Sequence, residues 1–215
     1  SFFGMWIGYA WVAKVRGLRD QSLIATTNMY RQKWMLQTTA RDPRMLDGLI
    51  TQNLSATPTF FSSTTIIIIG GLLAVMGASD RVNALVEGIP FVRSTSVEVF
   101  DLKLLLLIGI FVYAFFRFSW SMRLYTFVAL AIGSMPPPAA FADGTFDREK
   151  HAKRASALVG LAAEAFNSGL RAYYMSFAAM AWVFSGPAFI LGSAAVVFIL
   201  YRREFRSDVL DVLTK

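Results

Sequence analysis

Long stretches without charged side chains are the feature that most constrains this chain. Residues 51–79 contain no Asp, Glu, Lys or Arg, and residues 102–135 are apolar apart from a few cations. A helix needs about 20 mostly apolar residues to cross the hydrocarbon core of a bilayer. Charged residues make up 16% of the chain, against about 25% in soluble globular proteins. The sequence therefore excludes an ordinary water-soluble domain and predicts a membrane protein.

The apolar runs predict an all-α fold, a polytopic membrane helix bundle of about four transmembrane helices with additional amphipathic cytoplasmic helices. We interpret the first, short run as the C-terminal part of a truncated span, and the whole chain, 1–215, as one integral membrane domain. Pro58 is expected in the first turn of its helix, and Gly186-Pro187 is expected to kink the last one at its middle. The predicted spans cover residues 1–13, 57–78, 104–126 and 174–200.

The third apolar run is too long for a helix that stands upright in a membrane. Residues 102–135 would form a helix about 50 Å long at 1.5 Å per residue, whereas the hydrocarbon core is about 30 Å thick. We expect this helix either to tilt or to leave the bilayer while still helical. The consecutive prolines Pro136, Pro137 and Pro138 are expected to end it.

Basic residues in the connecting segments indicate the side of the membrane that each segment occupies. Residues 14–56 carry seven Lys and Arg against three acids, and residues 139–171 carry five basic residues. Such segments are typically cytoplasmic, so we predict both to be cytoplasmic and the second to contain an amphipathic helix. Arg202 and Arg203 conflict with four spans, which would place the C-terminus outside. Either the charge rule fails at this tail, or residues 155–171 enter the membrane.

Three arginines within the first cytoplasmic segment form a candidate headgroup or anion site. They are Arg31, Arg41 and Arg44, and guanidinium groups bind phosphate well on a cytoplasmic membrane face. The alternative is structural, because Arg44 and Asp47 are three residues apart and can share one helix face. In that case the cluster would be a salt-bridged pair of helices held against the membrane.

Four charged residues form a candidate intramembrane polar or ion-pair site. Arg117 and Arg123 lie in apolar sequence, where a charge is unfavourable and therefore suggests a function. They can also extend to the membrane surface, which is a purely structural solution. Glu164 lies in a helix of small residues, and it suits either a proton relay or an ion pair with Arg117, Arg123 or Arg171.

The residue inventory removes most catalytic chemistry. The chain has no cysteine and one histidine, His151, which excludes thiolate metal sites, disulfides and iron–sulfur clusters. We find no nucleophile elbow, phosphate loop, dinucleotide fingerprint or H-E-x-x-H motif. We therefore expect no enzyme, no metal and no cofactor. The net charge of +7 is better explained by anionic lipids next to the spans than by nucleic acid.

Several short motifs, taken together, resemble one family over nearly the whole chain. They are WIGY at 6–9, RQKWM at 31–35, RDPRMLD at 41–47, FFSST at 60–64, FVYAFFRFSWSMR at 111–123, FNSGLRAYY at 166–174 and YRREF at 201–205. In these motifs the chain resembles the domain of unknown function 599 family of bacterial membrane proteins. The resemblance implies a multi-pass protein of the bacterial inner membrane and supplies no catalytic residues.

Three classes of function are compatible with these features. We predict a structural or accessory subunit that self-associates or packs onto a larger respiratory or photosynthetic membrane assembly, because small residues such as Ser156 and Gly160 allow close helix packing. The alternative is a small channel or transporter that uses Arg117, Arg123 and Glu164. An enzyme acting on lipid would need a nucleophile or metal cluster, and none is evident. The predicted partners are the lipid bilayer, anionic lipids, and either further copies or other membrane subunits.

Overall fold

The structure, a computed structural model, describes residues 23–88, 96–205, 209, 212 and 213. These residues form seven helices and no strand, which confirms the predicted all-α fold. The predicted span over residues 1–13 lies outside the described residues. The helices are α1 (Leu23–Thr38), α2 (Met45–Met76), α3 (Ser79–Glu87), α4 (Val97–Gly133), α5 (Pro138–Ala142), α6 (Arg148–Phe184) and α7 (Gly186–Phe205).

Helix α2 begins earlier than the second predicted span. It has 32 residues, and Pro58 lies inside it rather than in its first turn. The expectation that Pro58 starts this helix is therefore wrong. The residues before Pro58 are helical because one face of this part of α2 is covered by neighbouring segments, with Asp47 and Thr51 buried on it. Tertiary packing therefore outweighs the backbone hydrogen bond that a proline inside a helix removes.

Helix α4 agrees with the long third run. It has 37 residues, and at 1.5 Å per residue it is about 55 Å long. It ends at Gly133, shortly before the three consecutive prolines, and Pro138 begins α5. The prolines thus stand where the sequence predicts the end of this helix, because a proline is favourable in the first turn of a helix and unfavourable in its interior.

Helix α6 continues from charged residues at its start into apolar residues at its end, over 37 residues. It ends at Phe184, and Ser185 has an extended backbone before α7 begins at Gly186. We expected residues 174–200 to form one kinked helix, and this prediction is wrong. These residues belong to two helices. Pro187 lies in the first turn of α7, where its missing N–H needs no partner.

Helices α6 and α7 form an antiparallel hairpin. Next to the turn, the ring of Trp182 stacks on that of Phe189 with 5.5 Å between their centroids. Farther from the turn, Nη1 of Arg203 donates a hydrogen bond to the hydroxyl of Tyr174 over 3.2 Å. Because later residues of α7 meet earlier residues of α6, the chain reverses direction at Ser185.

The long helices α4 and α6 lie side by side at the centre of the fold and run in opposite directions. At one end, Nζ of Lys103 lies 5.9 Å from the ring centroid of Trp182. Toward the other end, Oγ of Ser121 donates to the backbone oxygen of Ala162 over 2.8 Å. This pair forms the most extensive helix contact in the described chain.

Three shorter or outer helices cover this central pair. Helix α2 lies against α4, with 3.2 Å between the hydroxyl oxygens of Ser62 and Ser119. Helix α1 packs on the charged half of α6, and just after its last residue Oγ1 of Thr39 accepts from Nε of Arg148 over 2.8 Å. Helix α7 packs on the apolar half of α6. The bundle thus has a polar half that contains α1 and an apolar half that contains α7.

An aromatic cluster fills the bundle where α2, α4 and α6 meet. The rings of Phe61, Phe118, Phe166 and Tyr173 lie 5.3 to 5.8 Å apart, centroid to centroid. Phe118 is fully buried, and its ring lies against Gly169 so closely that a Cβ added there would be 2.5 Å from a ring carbon. Glycine is therefore required at this helix crossing, and the sequence alone did not predict it.

A second buried cluster joins α1 to the polar half of the central pair. Met35 is fully buried and packs in a cluster with Leu124 and Val128 of α4 and Ala155 of α6. The small alanine side chain lets α1 approach α6 closely. These contacts give α1 a fixed position on the surface of the central pair.

Three of the described helices are long and apolar enough to cross a membrane, judged by length and composition. They are Met45–Met76, Val97–Gly133 and Gly186–Glu204. Large apolar side chains on these helices are exposed to the surroundings of the protein, among them Phe60, Ile67, Leu105, Phe116, Leu191 and Phe198. Exposed apolar surface of this kind is typical of a protein whose solvent is lipid.

Candidate functional site

Arg41, one of the three arginines of the predicted anion site, instead neutralises a buried carboxylate. Asp47 is fully buried, and its Oδ1 accepts from Nη1 of Arg41 over 2.6 Å. The same oxygen accepts from Nε1 of Trp34 over 2.7 Å and from Oγ1 of Thr38 over 2.9 Å. A buried carboxylate needs such donors. Asp47 thus forms its salt bridge with Arg41, and not with Arg44 as the three-residue spacing suggested.

Arg44 binds backbone oxygens rather than facing a ligand. Its Nε donates to the carbonyl of Thr38 over 3.1 Å, and its Nη1 and Nη2 donate to the carbonyls of Met135 and Pro136 over 3.0 and 2.5 Å. The last carbonyls of a helix and of the turn after it lack helical partners. Arg44 satisfies two of them just beyond α4 and connects this corner to the turn between α1 and α2.

Arg31, the third arginine, lies in a cavity of about 530 Å³ between α1 and α6. This cavity, which we call the α1–α6 groove, has a mostly apolar wall. The apolar residues that line it are Ile24, Ala25, Met29, Ala157, Leu161 and Ala163. Clefts of about 300–1,000 Å³ with apolar walls and a few polar groups are typical of ligand sites. The α1–α6 groove is therefore the candidate functional site.

The polar groups of the groove come mainly from one face of α6. Lys153, Ser156, Glu164, Asn167 and Arg171 all line it, and their spacing of three, eight, three and four residues keeps them on nearby faces of the helix. Glu164 and Arg171 belong to the predicted intramembrane site, and Arg31 belongs to the predicted anion site. The fold thus brings residues of two predicted sites into one groove.

The antiparallel contact of α1 and α6 places Arg31 within the groove. A Cβ on Gly160 would lie 3.4 Å from Oδ1 of Asn28, so these residues are opposite one another. Arg31, one turn after Asn28, therefore lies at the level of Ser156 and Ala157. The small residues that the sequence analysis assigned to helix packing thus also form part of the groove wall.

The Arg31 guanidinium is half-buried and has few polar contacts. Its Nη1 donates to Oδ1 of Asn28 over 2.5 Å, and no carboxylate in the described part of the chain forms an ion pair with it. Burial lowers the pKa of Arg31 from its ordinary value, and the electrostatic influence of Tyr125 acts in the opposite direction. A lowered pKa is the response of a cation that has lost water without gaining an anion.

The two remaining arginines of the predicted intramembrane site lie outside the groove. Nη2 of Arg117 donates to Oγ of Ser168 over 3.3 Å, and its Nε is buried without a hydrogen-bond partner among the described residues. Arg123 is exposed and lies 5.7 Å from the ring centroid of Phe127. Arg117 and Arg123 therefore do not line the groove that Glu164 and Arg171 share.

Three groove residues, Lys153, Ser156 and Asn167, could not be recognised as site residues from the sequence alone. Their common helix face was visible in the amphipathic pattern, but the pattern could not indicate that α1 would lie opposite. Within the described ranges there is no group of three or more His, Cys, Asp or Glu side chains that could hold a metal. The groove can therefore offer cations, hydroxyl and amide groups, one carboxylate and an apolar wall.

The chain belongs to the family described as "Protein of unknown function, DUF599", whose model matches residues 1–209. This confirms the resemblance found in the sequence motifs. Comparisons with curated proteins and with solved structures found no match. The family and the three candidate spans together support a membrane protein.

Proposed function

We propose that this protein is a multi-pass protein of the bacterial inner membrane with a structural or accessory role and no enzymatic activity. The α6–α7 hairpin supports the membrane placement. It returns Arg202 and Arg203 toward the polar half of the bundle, where Lys153 and Arg154 also lie. All these cations can then face the cytoplasm. The conflict in the sequence-based topology disappears if the apolar end of α6 and all of α7 each cross the bilayer.

The proposed membrane position leaves part of the bundle in water. Helices α4 and α6 each have 37 residues and are therefore about 55 Å long, whereas the hydrocarbon core is about 30 Å thick. The apolar half, with α7, suits the bilayer. The polar half, with α1 and the groove, then extends from the cytoplasmic surface. In this arrangement α4 leaves the bilayer while still helical, which is one of the two possibilities expected for the third apolar run.

The aromatic cluster at the centre of the bundle is the main support for the accessory role. Phe61, Phe118, Phe166 and Tyr173 pack against one another and against Gly169, and Phe118 is fully buried. Packed rings leave no room for water or a solute to pass between α2, α4 and α6. A solid bundle with an exposed apolar exterior and a projecting polar half suits a protein that holds partners at a membrane.

The partners proposed for this role are the surrounding lipid, including anionic lipid, and either further copies or subunits of a larger membrane assembly. The test is purification from the native membrane in a mild detergent, followed by mass spectrometry of the intact particle. We expect a homo-oligomer or a complex with other membrane subunits. As a control, a strong detergent should separate the components. A monomer that carries no protein partner in the mild detergent would contradict the accessory role.

A small channel or transporter is the second candidate, because Glu164 and Arg171 share one groove. The groove lies beside α6 rather than through the packed centre, so transport would need a path between α1 and α6. Solute flux in liposomes tests this function, with Glu164→Gln as the variant and Glu149→Gln, at the exposed start of α6, as the control. Flux that only Glu164→Gln abolishes would support transport and contradict a purely structural role.

A further inference from the structure

We propose that the α1–α6 groove binds an anionic lipid, with the phosphate between Arg31 and Lys153 and one acyl chain along the neighbouring apolar wall. This inference rests on the proposed membrane placement, which puts the groove on the cytoplasmic side. Anionic lipids are concentrated in the cytoplasmic leaflet and attract clustered Lys and Arg. Neither the family nor the fold assigns a ligand to this groove.

The groove wall carries two cations, Arg31 and Lys153, that form no ion pair in the described ranges. Arg31 is half-buried and donates to Asn28, an uncharged partner. Lys153 lines the same groove one turn away from the level of Arg31, and no ion pair neutralises either cation in the described ranges. A partly buried cation without an anion is unfavourable. A phosphate would supply that anion and accept two hydrogen bonds from the planar guanidinium.

Apolar surface lies next to these cations in the groove. Met29, Ala157 and Leu161 line the groove, and Met29 and Leu161 are more than half exposed to solvent. A small ion such as inorganic phosphate would leave this surface in water. A ligand with an acyl chain would cover it and gain the free energy of removing apolar surface from water. The groove therefore fits an amphiphile better than a free anion.

The carboxylate that lines the groove, Glu164, lies well apart from Lys153 along α6. Glu164 is eleven residues after Lys153, which corresponds to about 16 Å along α6. Two charges at this distance on a hydrated surface interact weakly at physiological ionic strength, where the screening length is about 8 Å. Glu164 therefore leaves the charge of Lys153 intact. Arg171 lines the same end of the groove as Glu164 and offsets its negative charge, so the net positive charge lies at the end with Arg31 and Lys153, where we place the phosphate.

The experiment measures lipid binding to the delipidated full-length chain in a nonionic detergent by native mass spectrometry. Phosphatidylglycerol is the anionic lipid, and phosphatidylcholine with the same chains is the neutral comparison. The test variant is Arg31→Gln with Lys153→Gln. The control variant, Lys33→Gln with Lys150→Gln, removes the same charge from exposed positions on the same two helices. A further variant, Ala157→Phe, fills the apolar part of the groove and leaves every charge in place.

We expect phosphatidylglycerol to bind the wild type and the control equally, and to bind the test variant about tenfold or more weakly, because each lost contact joins two charged groups. We expect Ala157→Phe to weaken binding as well, and phosphatidylcholine to bind all proteins weakly. Equal binding of phosphatidylglycerol to the test and control variants would contradict a lipid site at Arg31 and Lys153. Displacement of the lipid by inorganic phosphate, or full binding by Ala157→Phe, would overturn the role of the acyl chain. The composition of the purified particle is a separate measurement, so failure here leaves the accessory role to its own test.

Discussion

Replacing Gly169 with alanine tests whether the aromatic cluster is as tightly packed as the structure indicates. The new Cβ would lie 2.5 Å from Cε1 and 2.8 Å from Cδ1 and Cζ of Phe118. The ring cannot move away easily, because Phe118 is fully buried among Phe61, Phe166 and Tyr173. Adding atoms to a well-packed core lowers stability by about 1–3 kcal/mol, and the overlap favours the upper end.

The matched control is Gly109→Ala. Gly109 lies inside α4, and a Cβ added there would meet no atom within 4 Å. Both substitutions share the gain in helix propensity, about 0.5–1 kcal/mol, so their difference isolates the steric overlap. For a chain of 215 residues, about 2–3 kcal/mol corresponds to a difference in Tm of about 4–12 °C. Thermal unfolding in detergent, followed by circular dichroism, measures that difference.

Adding Phe118→Leu provides an internal check on the cause. The smaller side chain should remove the overlap, so Gly169→Ala should lower the Tm less in the Phe118→Leu background than in the wild type. A double-mutant cycle should give a coupling free energy of about 1 kcal/mol or more, as expected for residues in contact. Equal Tm values for Gly169→Ala and Gly109→Ala, together with strict additivity, would refute the tight helix crossing.

Three further predictions concern the polar half of the bundle and the topology. Asp47→Ala should lower the free energy of unfolding by about 3 kcal/mol, because it leaves three donors without their acceptor, and an unchanged Tm would contradict this. Arg44→Leu should speed amide hydrogen exchange at the end of α4, whereas exchange like that of the wild type would show that its three backbone contacts are unimportant. In this chain without native cysteine, Glu149→Cys and Arg202→Cys should react with a membrane-impermeant thiol reagent from one side, and Asp80→Cys from the other. Labelling of the first two from opposite sides would refute the proposed membrane position of the hairpin.

The helical fold could be predicted because long uncharged runs allow few alternatives, but the roles of two prolines could not. The sequence suggested that Pro58 starts a helix and that Pro187 kinks one. The structure has the reverse arrangement, with Pro58 inside α2 and Pro187 in the first turn of α7. A proline is compatible with both positions to different degrees, and packing between distant segments decides which one it occupies.

The candidate site was only partly predictable for a similar reason. Arg31, Arg41 and Arg44 are close together in the sequence, yet each has a different environment in the fold. Arg44 reaches Met135, which is 91 residues away, and nothing in the local pattern indicates that contact. The groove likewise depends on which face of α6 meets α1. Local spacing identified the charged residues, whereas tertiary contacts determined which of them remain available to a ligand.

The length of the central pair has a consequence for any partner in the cytoplasm. About 55 Å of helix against a hydrocarbon core of about 30 Å leaves about 25 Å beyond it. Because Arg44 and Arg148 fasten the far end of the bundle to the turn after α1, that end cannot swing independently. A protein attached there would be kept at a constant height above the lipid headgroups, so that shortening α4 and α6 by equal numbers of turns would bring it closer in steps of about 5.4 Å.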